Sequence, residues 1–361
     1  MKLNDPFFSI CIPNYNYGRF IGATIESVLS QTYQNFEIVV VDNASTDNSV
    51  EVVQSFNDSR IRLYQNNYNI GFAPNLQRAT SHARGDFIHL LSSDDLMKPH
   101  ALAAYAHVIR EVDEPHNLVL YSAVEYFDNQ GRITAYREKA EDGYYMRGHK
   151  IKTPADLATR PQNGQFPYHL YPGHEVLADS LGRLRTFGPF LSIIYSRRLW
   201  KAVEGYNAVR TIGPDKFFNF KLLAQNPVVA YVPLVLFQYR DFESPNRAAL
   251  QTTIKQQIDD YLYTIEYREP ELIELGLSRK RLIHTFLDRI CLDYGFHFLS
   301  QRNYWHAVRL LAFAFASYPQ IALLKPKTYA LLGLLATGPL SLVLAPWLLN
   351  VRMQRYPERY Q

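Results

Sequence analysis

Asp94 and Asp95 stand side by side at the end of an apolar run, and two such carboxylates are hard oxygen ligands suited to Mg2+ or Mn2+. An ion held there would neutralise a diphosphate. Asp42 closes a second apolar run, Phe36 to Val41, where a carboxylate can accept a hydrogen bond from a base or ribose. The segment Pro13-Asn14-Tyr15-Asn16 closes a third, and the Tyr15 ring is suited to stacking on a base. Each has a plainer alternative. Asp42 fits a turn or helix start, Asp94-Asp95 fits an N-terminal cap for the helix after Pro99, and Tyr15 fits ordinary core or surface. Neither a GxGxxG fingerprint nor a Walker sequence occurs, so a metal must carry the charge that such loops handle elsewhere. His82, His89, His100 and His107 form no metal-ligand spacing.

The elements needed to gather these groups can be read in order. Phe7 to Ile12 predicts a strand stopped by Pro13, and Phe20 to Gln31 places Ile21, Ile25, Val28 and Leu29 on one helical face. Phe36 to Val41 predicts a strand buried on both sides. Ser45, Thr46 and Asp47 start a helix, Ile61 to Tyr64 is a third strand, Phe72 to Arg84 a helix ended by Gly85, and Asp86 to Leu91 a fourth strand. This alternation predicts an α/β fold, an open parallel sheet with helices on both faces. Ligands of such sheets lie beyond the carboxyl ends of the strands, where the three polar segments fall. Further on, Leu118 to Phe127 predicts a strand, Gly143 to Gly182 long loops, Phe190 to Tyr195 regular structure, the region from Asp215 a helix, and Val228 to Tyr239 a strand.

The chain has 361 residues, 47% of them hydrophobic, enough for a large core plus an appendage. A net charge of +4 is too weak to argue for nucleic acid, and it fits an anionic small ligand or an anionic lipid surface. The 26 tyrosines and 21 phenylalanines suit surfaces that stack on rings, sugars or headgroups as well as core. Two cysteines, Cys11 and Cys291, make no disulfide framework and point to a reducing compartment, and the start of the chain leaves no room for a signal peptide.

From Arg247 the pattern turns helical, with apolar residues at helical spacing over Ile254–Tyr267, Lys280–Leu299 and Tyr304–Ala316. A boundary is expected near Ser244-Pro245-Asn246. No charged residue lies between Lys327 and Arg352, a stretch about as long as a bilayer span but interrupted by Gly338-Pro339 and Ala345-Pro346. Lys325 and Lys327 flank it on one side, Arg352, Arg355 and Arg359 on the other, so both ends favour the cytoplasmic face. A kinked hairpin dipping into one leaflet, with Trp347 at the interface and the Trp305–Ala316 helix on the surface, fits these facts; a buried helical pair in a dimer is the alternative. The expected organisation is therefore residues 1–245 (donor half to about 128, acceptor half from 129), a helical extension 246–320 and a membrane-associating tail 321–361.

Five motifs in order, ICIPNYNYGRFI, FEIVVVDNASTDNS, NYNIGFAPN, ARGDFIHLLSSDD and IGPDKFFNFKLL, resemble the family 2 glycosyltransferases of GT-A fold over about the first two-thirds of the chain. The resemblance implies an inverting transfer of a sugar from a UDP- or dTDP-linked donor to a lipid-linked or polysaccharide acceptor, dependent on Mg2+ or Mn2+. It implies that Pro13, Tyr15 and Asp42 line the base, that Asp94 and Asp95 are the ribose and metal carboxylates, and that Asp215 is the general base. Two departures stand out: Ser92 replaces an Asp that many members carry, and in YRDFESPN the Tyr239-Arg240 pair is followed by Asp241 where many have a His. These departures favour the rival reading, a nucleotide-sugar binding or scaffolding protein without turnover; intact Asp94, Asp95 and Asp215 oppose it. A nucleotidyltransferase would need a glycine-rich start with a basic residue after the first strand, which is absent. No nucleic-acid partner is expected, and a homo-oligomer is one arrangement the sequence permits.

Overall fold

The computed structural model describes residues 3–136, 166–206, 214–240 and 255–340. The chain divides into two compact units. The first comprises Met1–Ala140, Tyr144–Leu177 and Thr186–Phe242, the second Glu141–Gly143, Ala178–Arg185 and Glu243–Gln361. The expected boundary at Ser244–Asn246 lies outside the described residues, as do Trp347 and the basic residues beyond it.

In the first unit, ten strands among the described residues make one sheet: β1 (Phe8–Asn14), β2 (Phe36–Asp42), β3 (Ile61–Gln65), β4 (Phe87–Leu90), β5 (Leu96–Met97), β6 (Leu118–Phe127), β7 (Ile133–Tyr136), β8 (His169–Pro172), β9 (Ile194–Ser196) and β10 (Val228–Arg240). The main order is β3-β2-β1-β4-β9-β6-β10-β5, with β7 beside β6 and β8 beside β10. The half β3-β2-β1-β4 is parallel. The rest departs from the expected parallel sheet, because the short strand β9 enters antiparallel between β4 and β6, and β5 and β8 pair antiparallel with β10. Strands of two to four residues carry too little alternation to announce a direction.

Alternating residues set the two faces. Phe8, Ile10, Ile12, Ile38 and Val40 join Ile21, Ile25 and Val28 of α1 (Gly18–Leu29) and the apolar side of α4 (Ala101–Glu111) in one core. Cys11, Val39 and Val41 are buried on the other face, where α3 (Phe72–Ser81) packs against β1 and β2. Both cysteines are buried and unpaired. Gly85 passes so close to β1 that a Cβ would lie 2.6 Å from the Phe7 carbonyl oxygen and 2.7 Å from the Ser9 nitrogen.

Two prolines sit inside strands. Pro13 does not stop β1, which runs on to Asn14 opposite Asp42. The missing N–H costs no ladder bond, because Pro13 faces the side of β4, and pairing of β4 with β1 has already ended at Cys11. Pro233 sits where β10 slips register against β6, between Val232 and Val235, a bulge that lets a central strand carry proline. Of the loops expected over 143–182, residues 143–165 lie outside the described residues, and 166–182 carry β8 and α5 (Gly173–Gly182), with Val176, Leu177 and Leu181 buried at helical spacing.

The second unit is helical over its described part from Lys255 to Leu340. Arg279–Thr285, a π-helical stretch Phe286–Asp293 and Tyr294–Ser300 run on as one rod, followed by helices Tyr304–Ser317 and Pro326–Ala336. Leu292, Leu299, Leu310, Leu331 and Leu334 form its core. Trp305, Leu324, Tyr329, Leu332 and Leu340 are exposed, Leu324 by 79% and Trp305 by 71%. Lys325 and Lys327 are ion-paired with Asp288 and Asp293 at 2.6 and 2.7 Å. No helix among the described residues is long and apolar enough to cross a membrane.

Candidate functional site

The polar ends of β1, β2 and β4 meet at one edge of the sheet. Asn14 Nδ2 donates to Asp42 Oδ1 at 2.8 Å, the Ser45 hydroxyl donates to the same oxygen at 2.5 Å, and the Ser45 N–H donates to Asp42 Oδ2 at 2.9 Å. Asp42 is therefore buried and spends three acceptor positions on its own loop, which leaves one oxygen lone pair for a ligand. Asn16 and Ala44 hold left-handed φ angles of 59° beside it. For Ala44 such a conformation costs about 1–2 kcal/mol, a strain of the kind that clusters at ligand loops. Tyr15 sits between Asn14 and Asn16 with its side chain 42% exposed, and Pro13 is half-buried.

An asparagine ladder builds the neighbouring wall. Asn43 Nδ2 donates to Asn69 Oδ1, Asn43 Oδ1 accepts from Asn66 Nδ2 and from the Ile70 N–H, and Asn75 donates to the Val41 carbonyl. This is what the motif Asn67–Asn75 does: it ties the loop after β3 to the end of β2. Asp47 joins the starts of α1 and of α2 (Ser49–Gln54), since its carboxylate accepts from the Gly18 N–H at 2.8 Å and from the Ser49 N–H at 3.0 Å, and against the effect of burial these bonds hold its carboxyl below the ordinary value.

The carboxylate pair is fixed from three sides. Ser93 Oγ donates to the Pro13 carbonyl at 2.7 Å, which joins the pair's loop to the end of β1. Thr24, buried on α1, donates to the carbonyls of Ser93 and Asp95 at 3.0 and 2.9 Å. From β10, the Arg240 N–H donates to Asp95 Oδ1 and its Nε to the Asp94 carbonyl, both at 2.9 Å. The Arg240 guanidinium lies over the rings of Phe20 and Phe127 at 4.8 and 4.4 Å. Asp95 is buried and Asp94 half-buried. Burial first, and the Asp94 charge second, raise the Asp95 carboxyl well above its ordinary value, opposed by the hydrogen bonds from Arg240 and Ser92. Tyr17 borders the pair, its phenol pushed up to about 12 by burial, Asp94, Tyr239 and Asp95.

Asp215 opens α7 (Pro214–Ala224), directly after Pro214 at the first helical position. Burial raises its carboxyl above the ordinary value, against the N–H groups of Lys216 and Asp215 and the Lys216 charge. Among the described residues its charge neighbours include Lys216 and Tyr206. Tyr206 stacks on Phe218 of α7 at 4.0 Å, and Phe218 meets Tyr195 of β9 edge-on, so this helix start is packed against the sheet. Ile212 and Gly213 of the motif lie outside the described residues, as does Asp241, where many relatives carry a His.

The structure thus brings together Pro13, Tyr15, Asp42, Asp94 and Asp95, and sets Asp215 on a separate element. Arg240, Tyr17 and Thr24 were given no place in the site on sequence grounds, and Ser45 was expected to start a helix that in fact begins at Ser49, leaving its hydroxyl to hold Asp42. Arg240 could have been found only through β5, a two-residue strand whose antiparallel pairing of Met97 with Phe237 and Leu96 with Gln238 brings the end of β10 beside the pair.

Residues 9–168 match the family model described as Glycosyl transferase family 2. The chain is 32% identical over 130 residues to the glycosyltransferase GlyG of Streptococcus pneumoniae, a match covering 36% of this chain and 42% of that one. It is 45% identical over 94 residues to the UDP-Glc:alpha-D-GlcNAc-diphosphoundecaprenol beta-1,3-glucosyltransferase WfgD of Escherichia coli, covering 26% of this chain and 37% of that one. The matched part thus spans about two-fifths of these curated relatives. Among solved structures, S. aureus TarS 1-349 in complex with UDP-GlcNAc aligns over 94% of this chain and 89% of its own, with a TM-score of 0.56 and 18% identity. The mannosyltransferase PcManGT of Pyrobaculum calidifontis, in complex with GDP-Man and Mn2+, aligns over 96% and 87%, with a TM-score of 0.51 and 19% identity. These likenesses establish a GT-A-type fold.

Proposed function

We propose that this chain, whose residues 9–168 match the model of glycosyl transferase family 2, moves a sugar from a nucleoside-diphosphate donor, UDP- or dTDP-linked, to an acceptor hydroxyl with inversion at the anomeric carbon. The observation that carries the reading is the joining of strand ends around the carboxylate loop: β1 through Ser93 on the Pro13 carbonyl, β2 through Asn14 on Asp42, and β10 through Arg240 on Asp95. In this reading the base lies between Tyr15, Pro13 and the remaining acceptor position of Asp42, and the diphosphate reaches the pair.

A divalent cation fits the donor set. Asp94 and Asp95 are two adjacent carboxylates whose mutual repulsion and burial already disfavour charge on Asp95. Among the described residues no third His, Cys, Asp or Glu joins them in a metal-binding group, so phosphate oxygens and water would complete the shell, the usual habit of Mg2+ and Mn2+. When bound, such an ion stabilises negative charge on the departing diphosphate. Asp94 and Asp95 would hold it, and Arg240 adds a fixed positive charge beside them. Asp215 takes the proton of the acceptor hydroxyl onto a carboxylate oxygen. The acceptor oxygen then forms its bond to the anomeric carbon as the bond from that carbon to the phosphate oxygen breaks. The electron pair leaves with the nucleoside diphosphate, and no covalent enzyme intermediate is needed. A raised carboxyl suits this role, because a base works best with its pKa close to the working pH.

The acceptor in this reading is lipid-linked, or a polysaccharide chain, met at the cytoplasmic face of a membrane. Support comes from the lipid-diphosphate acceptor in the name of one relative and from the exposed Trp305, Leu324, Tyr329 and Leu332 of the helical unit, a set suited to the headgroup boundary. The test is a thermal-shift screen of nucleotides and nucleotide sugars with and without Mn2+, since ligands that bind the native state raise its melting temperature by mass action. One base should stand out, with a metal-dependent part of the shift that Asp95→Ala abolishes. Equal, metal-blind shifts for all nucleotides would overturn the site assignment.

A further inference from the structure

At the opposite end of β4 from the carboxylate pair, Asp86, His116, Arg197, Arg198 and Lys201 line an open pocket of about 300 Å3. This is near the lower limit of small-ligand sites. Its frame is well held. The Arg197 N–H donates to the Asp86 carbonyl at 2.7 Å, Ser196 Oγ donates to the His116 carbonyl at 2.6 Å, and the Asp86 carboxylate accepts from the Phe7 N–H at 3.1 Å. The helix α6 (Arg197–Ala202) is fastened by buried Leu199 and by Trp200, whose ring N–H donates to Thr80 Oγ1 at 3.1 Å. That anchoring leaves Arg198 and Lys201 exposed and Arg197 half-buried.

The charge arrangement works against the helix. Arg197 and Lys201 are four apart and Arg198 and Lys201 three apart, so like charges share one face, a pattern that destabilises a helix. Two of the three sit in the first turn, where the helix dipole disfavours cations and where no acidic residue stands. Among the described residues none of the three forms an ion pair. Two cations in a first turn with no acidic residue there and no ion pair, beside a cavity whose only carboxylate is Asp86, point to a compensating ligand. We propose that this pocket binds a phosphate-class anion through the side chains of Arg197, Arg198 and Lys201, away from the donor site. Guanidinium forks match phosphate oxygens two at a time, and the lysine adds a point charge. Such a phosphate has two sources, a free phosphate or pyrophosphate and the headgroup of an anionic lipid.

The test compares the full chain with R197Q/R198Q/K201Q in two arms: calorimetric titration with inorganic pyrophosphate, and co-sedimentation with vesicles of zwitterionic lipid alone or with added phosphatidylglycerol. The triple variant should lose affinity by roughly tenfold or more in at least one arm, as removal of charge-assisted hydrogen bonds requires. Loss confined to pyrophosphate identifies the free anion, and loss confined to anionic vesicles identifies the headgroup. Retention on zwitterionic vesicles should be unchanged. The charge-preserving R197K/R198K should keep most of the binding, which separates charge from misfolding, and Asp95→Asn should leave this affinity intact while altering donor binding. Equal binding by the wild type and the triple variant in both arms would overturn the proposal and leave the transferase reading untouched.

Discussion

Replacing Arg240 by Met tests how the carboxylate pair is held. The change removes the Nε–H bond to the Asp94 carbonyl and the cation over Phe20 and Phe127, but keeps the backbone N–H to Asp95 and much of the apolar packing. A hydrogen bond from a charged donor contributes about 1.5–3 kcal/mol. A half-desolvated cation over a ring contributes about 1 kcal/mol. Allowing for what the Met side chain regains by packing, the net loss is about 2–3 kcal/mol, or about 4–12 °C in melting temperature for a domain of this size. The assay is a thermal melt by circular dichroism with and without MnCl2. A second signature separates the site from mere packing. The Arg240 charge acts on both carboxylates, so without it Asp94 and Asp95 repel more strongly and Mn2+ should stabilise the variant by more than it stabilises the wild type. A variant that melts within about a degree of the wild type, or the same Mn2+ increment in both, would refute the reasoning.

Three further outcomes follow from the same contacts. Asp42→Ala strands the Ser45 N–H and hydroxyl hydrogen and leaves the Asn14 amide only its 3.2 Å bond to Ser45 Oγ, and should lower stability by about 3 kcal/mol in urea unfolding while also abolishing nucleotide binding. Asp215→Asn should leave donor affinity in a titration nearly unchanged and cut turnover by about 10²–10⁴. Because burial raises the Asp215 carboxyl, the wild-type rate should fall on the acid side through a pKa above the ordinary 3.8, and the same shift means that its contribution to stability declines as pH rises through that window. His89 is buried and neutral, its ring held near a pKa of about 4 by desolvation. The unfolded chain takes up that proton near 6.5 and the native state does not, so stability should be lost as pH falls from 6.5 toward 4, by up to about 3 kcal/mol. His89→Leu should flatten that acid slope in melts followed across pH.

The parallel half of the fold was legible because its signals are long and periodic: Phe36 to Val41 for β2, and Ile21, Ile25 and Val28 for α1. The strands expected over Leu118–Phe127 and Val228–Tyr239 were legible for the same reason, and β10 runs one residue further to Arg240. Pro13 misled, because a proline at a strand end loses no bond when the neighbouring strand has already stopped. The mixed half was not legible, since β5 and β9 are set by tertiary pairing rather than by local pattern. The candidate site divides the same way. Asp42, Asp94 and Asp95 stand out as polar residues closing apolar runs. Arg240 does not, because its place depends on a bulge at Pro233 and on two residues of β5, more than a hundred positions away in the chain.

The account turns on whether donor cleavage and acceptor glycosylation happen at this strand edge. The most direct measurement is release of nucleoside diphosphate by the purified full chain, given UDP- and dTDP-sugars, Mn2+ and a lipid-diphosphate-linked acceptor, with the anomeric configuration of the product read by NMR. An acceptor-dependent release that gives the inverted glycoside, and that disappears in both Asp95→Ala and Asp215→Asn, is the predicted result. Tight donor binding with no release from any donor, or a product that retains the donor's configuration, would contradict it.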